Sequence, residues 1–486
     1  MKVALALFVK NEVNSIAHWV AWHLALGFDK LFIYDDESSD GTYEVLQSCA
    51  KMYDISLAST ASVTKETNFF YRQRDCFFDA AKQANGNFSW IAFLDGDEYL
   101  SLENEGNVKT FLNDFSNFSA IALNWRIYGS SDRALKTKIP VYEAYNHHST
   151  KDLNDNTLVK SFVRPEFLAF SYSDPHKFVL NNGTYADSLA QEVNWTGSCK
   201  TIEWSRACIN HYICRSLEDY IGRIKRRAGV DLADSTVYWN HFNRNDIFRN
   251  ENPEHVKKAN FLLNAIKKQC VQDYISQLRL THRLPIESSK SPNIETSIYK
   301  IKSFFGAFLS LDRQGGSVIQ DFGLHHTDLM LKLIIFNNEN FGFIAIKNLD
   351  VIENIPFNIK ENGTSNFCFK FEIEQDNNSN RFYMKSLRNG KYLCSLPHDQ
   401  SGYLECNRLT ASDWESFTLE KEENVEESFS LTAYEINNLN DFYLYILEKY
   451  QTITYNDFLL STANLKEKDI LTLKVVDGGE RISWIL

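Results

Sequence analysis

An apolar run, Trp90–Leu94, leads straight into Asp95-Gly96-Asp97-Glu98. On an extended chain, residues two apart point the same way, so Asp95 and Asp97 project together, and Gly96 allows close approach. Two such carboxylates suit a divalent cation shared with a diphosphate. Hard cations such as Mg²⁺ and Mn²⁺ prefer oxygen ligands, commonly one or two carboxylates plus phosphate oxygens. The bare tripeptide is equally an ordinary turn. Glu98 is placed to orient Asp97 from behind. A second polar cluster, Asp35-Asp36-Glu37-Ser38-Ser39-Asp40-Gly41-Thr42, follows Lys30–Tyr34 and opens a helical segment. Asp40 or Thr42 as a cap, with Gly41 as the turn, accounts for its second half. Asp35-Asp36 is left over, and a carboxylate there can accept hydrogen bonds from a nucleobase N–H or ribose hydroxyls. Arg72 and Arg74 cannot share one helix face, so at most one reaches a phosphate. His211 is either a satisfied core histidine or a ligand. The basic run Arg223–Arg227 is either a solvated helix face or a cover over phosphates.

The elements that must position these groups alternate. Val3–Val9, Lys30–Tyr34, Ile55–Ala58 and Trp90–Leu94 read as strands. Asn14–Leu26, Thr42–Met52 and Arg72–Gln83 carry apolar residues at helical spacing. This β-α-β-α order predicts a parallel, doubly wound sheet, in which ligands bind beyond the carboxyl ends of the strands. The polar clusters Lys10-Asn11-Glu12, Asp35-Asp36 and Asp95–Glu98 all fall there. Three regions are expected: an α/β domain over 1–245, a helical connector over 246–296, and an all-β domain over 297–486. Within the last, Ile301-Lys302-Ser303 and Gly306–Ser310 resemble Met384-Lys385-Ser386 and Gly390–Cys394, and Ile346-Lys347-Asn348 opens a copy between them. The copies close on Leu331–Phe336, Phe367–Ile373 and Phe417–Leu419. A period of about 40 residues with short strands indicates a repeat-built β architecture. The stretch 429–486 reads as further strands.

Composition limits the partners. The 486 residues carry 51 Lys and Arg against 63 Asp and Glu, a net charge of −12, which argues against broad binding to nucleic acid. Hydrophobic residues at 44% rule out wholesale disorder. No apolar run approaches the roughly 20 residues of a membrane span. The apolar start, Met1–Val9, is short for a signal peptide and reads better as a first strand. Peripheral membrane contact stays open. Nine scattered cysteines without paired spacing fit a reduced, cytoplasmic setting.

The segment Asp35–Thr42 resembles the Asp-Asp-x-Ser-x-Asp-Gly-Thr pattern of GT-A nucleotide-sugar glycosyltransferases related to family 2. Arg72-Gln73-Arg74-Asp75-Cys76, Trp90–Tyr99, Asn124–Ser131, Val163-Arg164-Pro165-Glu166 and His211-Tyr212 with Ser216, Glu218 and Arg227 are similar to the family 92 branch. Asp132 stands where that branch often has glycine. The stretch Asn389–Leu393, Gly402–Asn407 and Trp414–Phe417 resembles the fascin-like β-trefoil repeat. The first resemblance implies a GT-A fold with Asn11 and Glu12 lining the nucleotide pocket and Asp36 on base or ribose. Arg74 would face the diphosphate, Asp95 would touch ribose or metal, Asp97 would bind metal, and His211 would be a further metal or phosphate ligand. The cofactor implied is Mn²⁺ or Mg²⁺.

These parts imply transfer of a sugar from a nucleotide-sugar, UDP-linked, to a hydroxyl of a glycan acceptor, and the family resemblance implies inversion. A carboxylate downstream must take the hydroxyl proton. Asp174, beside Pro175 and His176, and Asp231 are the candidates, and sequence does not choose between them. Two rivals stay open. A nucleotidyltransferase would need a glycine-rich basic loop after the first strand, which Lys10-Asn11-Glu12 does not match. A non-catalytic carbohydrate-binding protein would not need Asp95 and Asp97.

Overall fold

The computed structural model describes residues 1–134, 136–195, 197–227, 235–281, 296–312, 317–322, 330–336, 341–348, 351–353, 356–359, 363–366, 369–377, 379–387, 389–400, 402–422, 436, 438–462 and 465–486. They divide into two compact units. One holds Met1–Lys136 with Pro140–Ile266, the other Thr137–Ile139 with Lys267–Leu486.

The first unit opens as its hydrophobic pattern dictates. Strand β1 (Val3–Val9) is buried along its whole length, as a strand covered on both faces must be. Helix α1 (Ile16–Ala25), β2 (Lys30–Asp35), α2 (Thr42–Met52), β3 (Ile55–Ser59), α3 (Phe69–Ala84) and β4 (Trp90–Asp95) follow. Strands β3, β2, β1 and β4 lie side by side in parallel. One sheet face packs Ala4, Ala6, Phe8, Phe32 and Phe93 against Cys76, Phe77, Ala80, Ala81 and Ala84 of α3.

Beyond β4 the sheet departs from the all-parallel expectation. The chain runs through β5 (Glu98–Leu102), α4 (Val108–Leu112), β6 (Ala120–Ile127), α5 (Val141–Ala144), β7 (His147–His148) and β8 (Val159–Val163). Next come β9 (Leu168–Asp174), β10 (Lys177–Leu180), β11 (Tyr185–Ala186), β12 (Glu192–Val193) and β13 (Ala207–His211). Strand β8 enters between β4 and β6 and pairs antiparallel with both. Strand β13 lies parallel to β6 and antiparallel to β5. The sheet is therefore mixed. Helices α6 (Leu217–Arg227) and α7 (Ser235–Phe242) and strand β14 (Ile247–Phe248) follow, and the long helix α8 (Pro253–Thr281) begins in the first unit and ends in the second.

The second unit is all-β from Thr296 to Lys421: β15 (Thr296–Ser303), β16 (Phe308–Asp312), β17 (Ser317–Asp321), β18 (Lys332–Phe336), β19 (Phe341–Asn348), β20 (Val351–Glu353), β21 (Pro356–Ile359), β22 (Gly363–Asn366), β23 (Phe369–Gln375), β24 (Phe382–Ser386), β25 (Tyr392–Ser395), β26 (Leu404–Arg408) and β27 (Ser416–Lys421). Strands β15, β18, β19, β23, β24 and β27 pair in a closed circuit, because β27 bonds both β24 and β15. Hairpins β16–β17, β21–β22 and β25–β26 stand off it. Ile301, Leu309, Val318, Leu333, Phe371, Met384, Leu393, Leu404 and Phe417 fill the interior. The copies read in the sequence open on β15, β19 and β24 and close on β18, β23 and β27.

The stretch expected as further strands is helical instead: α9 (Leu439–Glu448), α10 (Tyr455–Thr462) and α11 (Glu467–Leu473). Phe442, Tyr445 and Ile446 are buried at helical spacing on α9, and Asn438 caps its first turn through Asp441 N. Among the described residues no helix is long and apolar enough to cross a membrane.

Candidate active site

The carboxyl ends of β1, β2 and β4 gather five acids: Glu12, Asp35, Asp36, Asp95 and Asp97, with Glu98 behind them. Local chemistry fixes the loops that carry them. Asn11 takes a positive φ of 54°. Its N–H donates to Ser38 Oγ (2.9 Å), and its Oδ1 accepts from Ser39 N (2.8 Å). Glu12 N donates to Thr42 Oγ1, and Val13 N to Asp40 Oδ2. Asn11, Asp40 and Thr42 thus knit the loop after β1 to the loop after β2.

Asp36 is buried and gripped twice. Arg72 Nε and Nη2 each donate to it at 2.8 Å, Thr60 Oγ1 donates at 3.1 Å, and Lys10 Nζ lies 3.5 Å away. Burial alone would raise its pKa; the Arg72 hydrogen bonds and the Lys10 charge outweigh that and lower it. Asp35 has no such cation. Its Oδ2 accepts from Ser38 N, its Oδ1 is buried without a partner, and burial raises its pKa. Arg74 pairs with its neighbour Asp75 (2.7 Å) and lies over the Tyr71 ring. Of the two arginines on α3, Arg72 and not Arg74 reaches the acidic cluster.

Asp95 and Asp97 leave β4 together but meet different partners. Asp95 accepts from Gln73 Nε2 (2.9 Å) and Lys160 Nζ (2.7 Å). Lys160, 1% exposed, also lies 3.2 Å from Glu98 Oε2, and Glu98 Oε2 accepts from Asp95 N. Burial opposes a charged lysine there, but Asp95 and Glu98 raise its pKa and keep it cationic. Asp97 Oδ2 accepts from Arg223 Nη1 (2.8 Å) and lies 3.5 Å from His211 Nε2. Burial pushes Asp97 up, yet His211 and the Arg223 guanidinium beside it hold it well below the usual carboxylate range. Glu12 Oε2 accepts from Arg215 Nη1 (2.6 Å), and Arg215 Nη2 donates to Gly96 O, tying the loop after β1 to the Asp95–Asp97 turn.

Asp97 and His211 are the two expected metal ligands that the fold brings together. His211 comes from β13, and its Nδ1 is buried without a hydrogen-bond partner. A carboxylate oxygen and an imidazole nitrogen at this separation fit a small divalent cation whose remaining ligands are phosphate oxygens. Asp95 faces Lys160 instead. Among the described residues no cluster of three or more His, Cys, Asp or Glu side chains is assembled to hold a metal alone.

A family model, glycosyltransferase family 92, matches residues 3–260, more than half of the chain. The chain belongs to glycosyltransferase family 92. It is similar to a family 92 protein of Arabidopsis thaliana, 23% identical over 46% of this chain and 37% of that one. A family 92 protein of Oryza sativa subsp. japonica is 24% identical over 48% of this chain and 36% of that one. The chain thus spans little more than a third of the length of these relatives. Among solved structures, S. aureus TarS in complex with UDP is 14% identical, with a TM-score of 0.23 over 34% of this chain and 48% of that one.

Within the family 92 region, Asp132 adopts φ 58°, a conformation glycine takes without strain. Of the candidate bases, Asp174 spends Oδ1 on the N–H groups of His176 and Lys177 (2.8 and 3.0 Å). Asp231 lies outside the described residues. Sequence reasoning missed Gln73, Lys160 and Arg215. Lys160 did leave a signal: it interrupts the apolar strand Val159–Val163, and a lysine is almost never fully buried unless paired.

Proposed function

We propose that the α/β unit is a metal-dependent glycosyltransferase that moves a sugar from a UDP-sugar to a hydroxyl of a glycan acceptor, with inversion. The observation that carries this reading is the pairing of Asp97 with His211 beside Arg223 and Arg215, at the carboxyl edge of the sheet in a family 92 chain. Asp97 and His211 would hold Mn²⁺ or Mg²⁺, and the ion would neutralise charge building on the departing diphosphate. Asn11, Glu12 and Asp36 border the nucleotide side, where Arg72 and Lys10 hold Asp36 ionised. Lys160 keeps Asp95 oriented and offsets its charge.

The six-strand circuit with three hairpins supports a β-trefoil as the architecture of Thr296–Lys421. Its proposed role is to bind the acceptor glycan.

Calorimetric titration of UDP in the presence of Mn²⁺ tests the site. Wild type is expected to bind UDP only with the metal, and Asp97→Ala to lose that dependence. Metal-dependent binding that survives the substitution unchanged would overturn the assignment. A screen of UDP-sugars for UDP release in Mn²⁺ separates the reading from its rivals. A nucleotidyltransferase attacks the α-phosphate and releases no UDP, and a binding protein turns nothing over.

A further inference from the structure

We propose that His176 is the catalytic base of the transfer, taking the acceptor hydroxyl's proton on Nε2, with Asp174 as its positioning residue. This rests on the reading above.

Four contacts fix His176. Asp174 Oδ1 accepts its N–H, Ser161 Oγ donates to its carbonyl (2.7 Å), its ring meets the edge of Trp125 with centroids 5.1 Å apart, and its Nδ1 lies 2.9 Å from Val159 O. A carbonyl only accepts, so Nδ1 carries the hydrogen and Nε2 keeps its lone pair in the neutral ring. Among the described residues no hydrogen bond to Nε2 is formed, and Nε2 is not one of the buried polar atoms without a partner.

The place is the reaction's. Val159 begins β8, which pairs with β4, and the next residue, Lys160, binds Asp95. The Trp125 indole meets both His176 and His211, the partner of Asp97, with ring centroids 5.1 and 4.2 Å away. One indole therefore links the base to the proposed metal pair. The charged groups facing it are Lys160 from β8, Asp95 from the end of β4 and Asp174 from its own turn. Burial and the Lys160 charge lower its pKa, against the pull of the Val159 carbonyl, Asp95 and Asp174, so the ring is neutral at pH 7.

The step balances without a further reactant. The acceptor oxygen forms a bond to the anomeric carbon, the bond from that carbon to the diphosphate breaks with its electrons leaving on the nucleoside diphosphate, and the hydroxyl proton passes to His176 Nε2.

The test uses the full chain, Mn²⁺ and the UDP-sugar from which wild type releases UDP fastest, with water as the acceptor. His176→Gln is expected to lower kcat by about 10²–10⁴-fold. The donor KM and calorimetric UDP affinity should stay unchanged, and the acidic limb of the kcat profile should disappear. His176→Ala should recover part of its kcat on addition of imidazole. Turnover of His176→Gln within twofold of wild type, or an unaltered acidic limb, overturns the proposal. Loss of UDP binding in both variants overturns it too, since His176 is then structural. A wild type that releases no UDP from any UDP-sugar overturns the functional reading itself.

Discussion

At the carboxyl edge of β1, β2 and β4, opposite charges are already joined: Asp36 to Arg72, Asp95 to Lys160, Asp97 to Arg223, Glu12 to Arg215. Such pairs are weak evidence of stability, because desolvation offsets most of their attraction. They do hold ionised carboxylates and fixed cations where a diphosphate must be recognised. Asp95, Asp97 and Asp36 were legible because they sit in short local motifs. Lys160, Gln73 and Arg215 were not, because each meets its partner across 65, 22 and 203 residues respectively, and such pairing is invisible to local spacing. A different buried residue sets acid sensitivity. His23 is fully buried, its Nδ1 hydrogen serves Trp19 O, its Nε2 accepts from Leu100 N, and burial pushes its pKa down from 6.5 to about 3. Below pH 6.5 the unfolded chain binds a proton that the folded chain refuses, so stability falls as pH falls towards the folded value. Between pH 7 and pH 5 this histidine alone is expected to cost about 2 kcal/mol. Urea midpoints at the two pH values check it, and His23→Gln should show a shallower fall than wild type.

The elements follow local pattern where one face repeats. Helix α2 forms over the expected Thr42–Met52, and β1 over the expected Val3–Val9. Two expectations failed for identifiable reasons. The all-parallel sheet did not allow for β8, which returns antiparallel between β4 and β6 without a crossover helix of its own. The strands expected in 429–486 are helices, because a short run such as Phe442–Leu447 satisfies either period until tertiary burial selects one face. Strand β13 shows what alternation achieves. His211 faces Asp97, while its neighbour Asn210 bonds Arg126 Nε (3.0 Å) and Glu251 Oε1 (2.7 Å). Glu251 also accepts from Ser101 Oγ and Tyr128 OH, so one carboxylate clamps β5, β6 and β13. Removing it leaves Arg126 and three donors buried without it. Glu251→Ala is expected to destabilise the first unit by about 3–5 kcal/mol, and Glu251→Gln by clearly less. Urea denaturation followed by tryptophan fluorescence distinguishes them.

For the whole molecule, the family 92 region and the six-strand circuit are each closed by contacts between distant segments. The circuit depends on β27, where Phe417 stands opposite Ser303 on β15 and Phe382 on β24 and fills the interior. Phe417→Ala is expected to cost about 3–5 kcal/mol from the cavity left behind, read as a lowered urea midpoint of the second unit. The sequence by itself determined the alternating elements of the first part, the repeats of the second, and the acids at the strand ends. Each of these is a short-range pattern imposed by backbone geometry and the burial of apolar side chains. Only the tertiary structure decided which cation meets which acid, that Asp97 and not Asp95 faces His211, and that Asp174 serves a turn. Those outcomes depend on which distant strands become neighbours, and on the cost of leaving a buried charge unpaired.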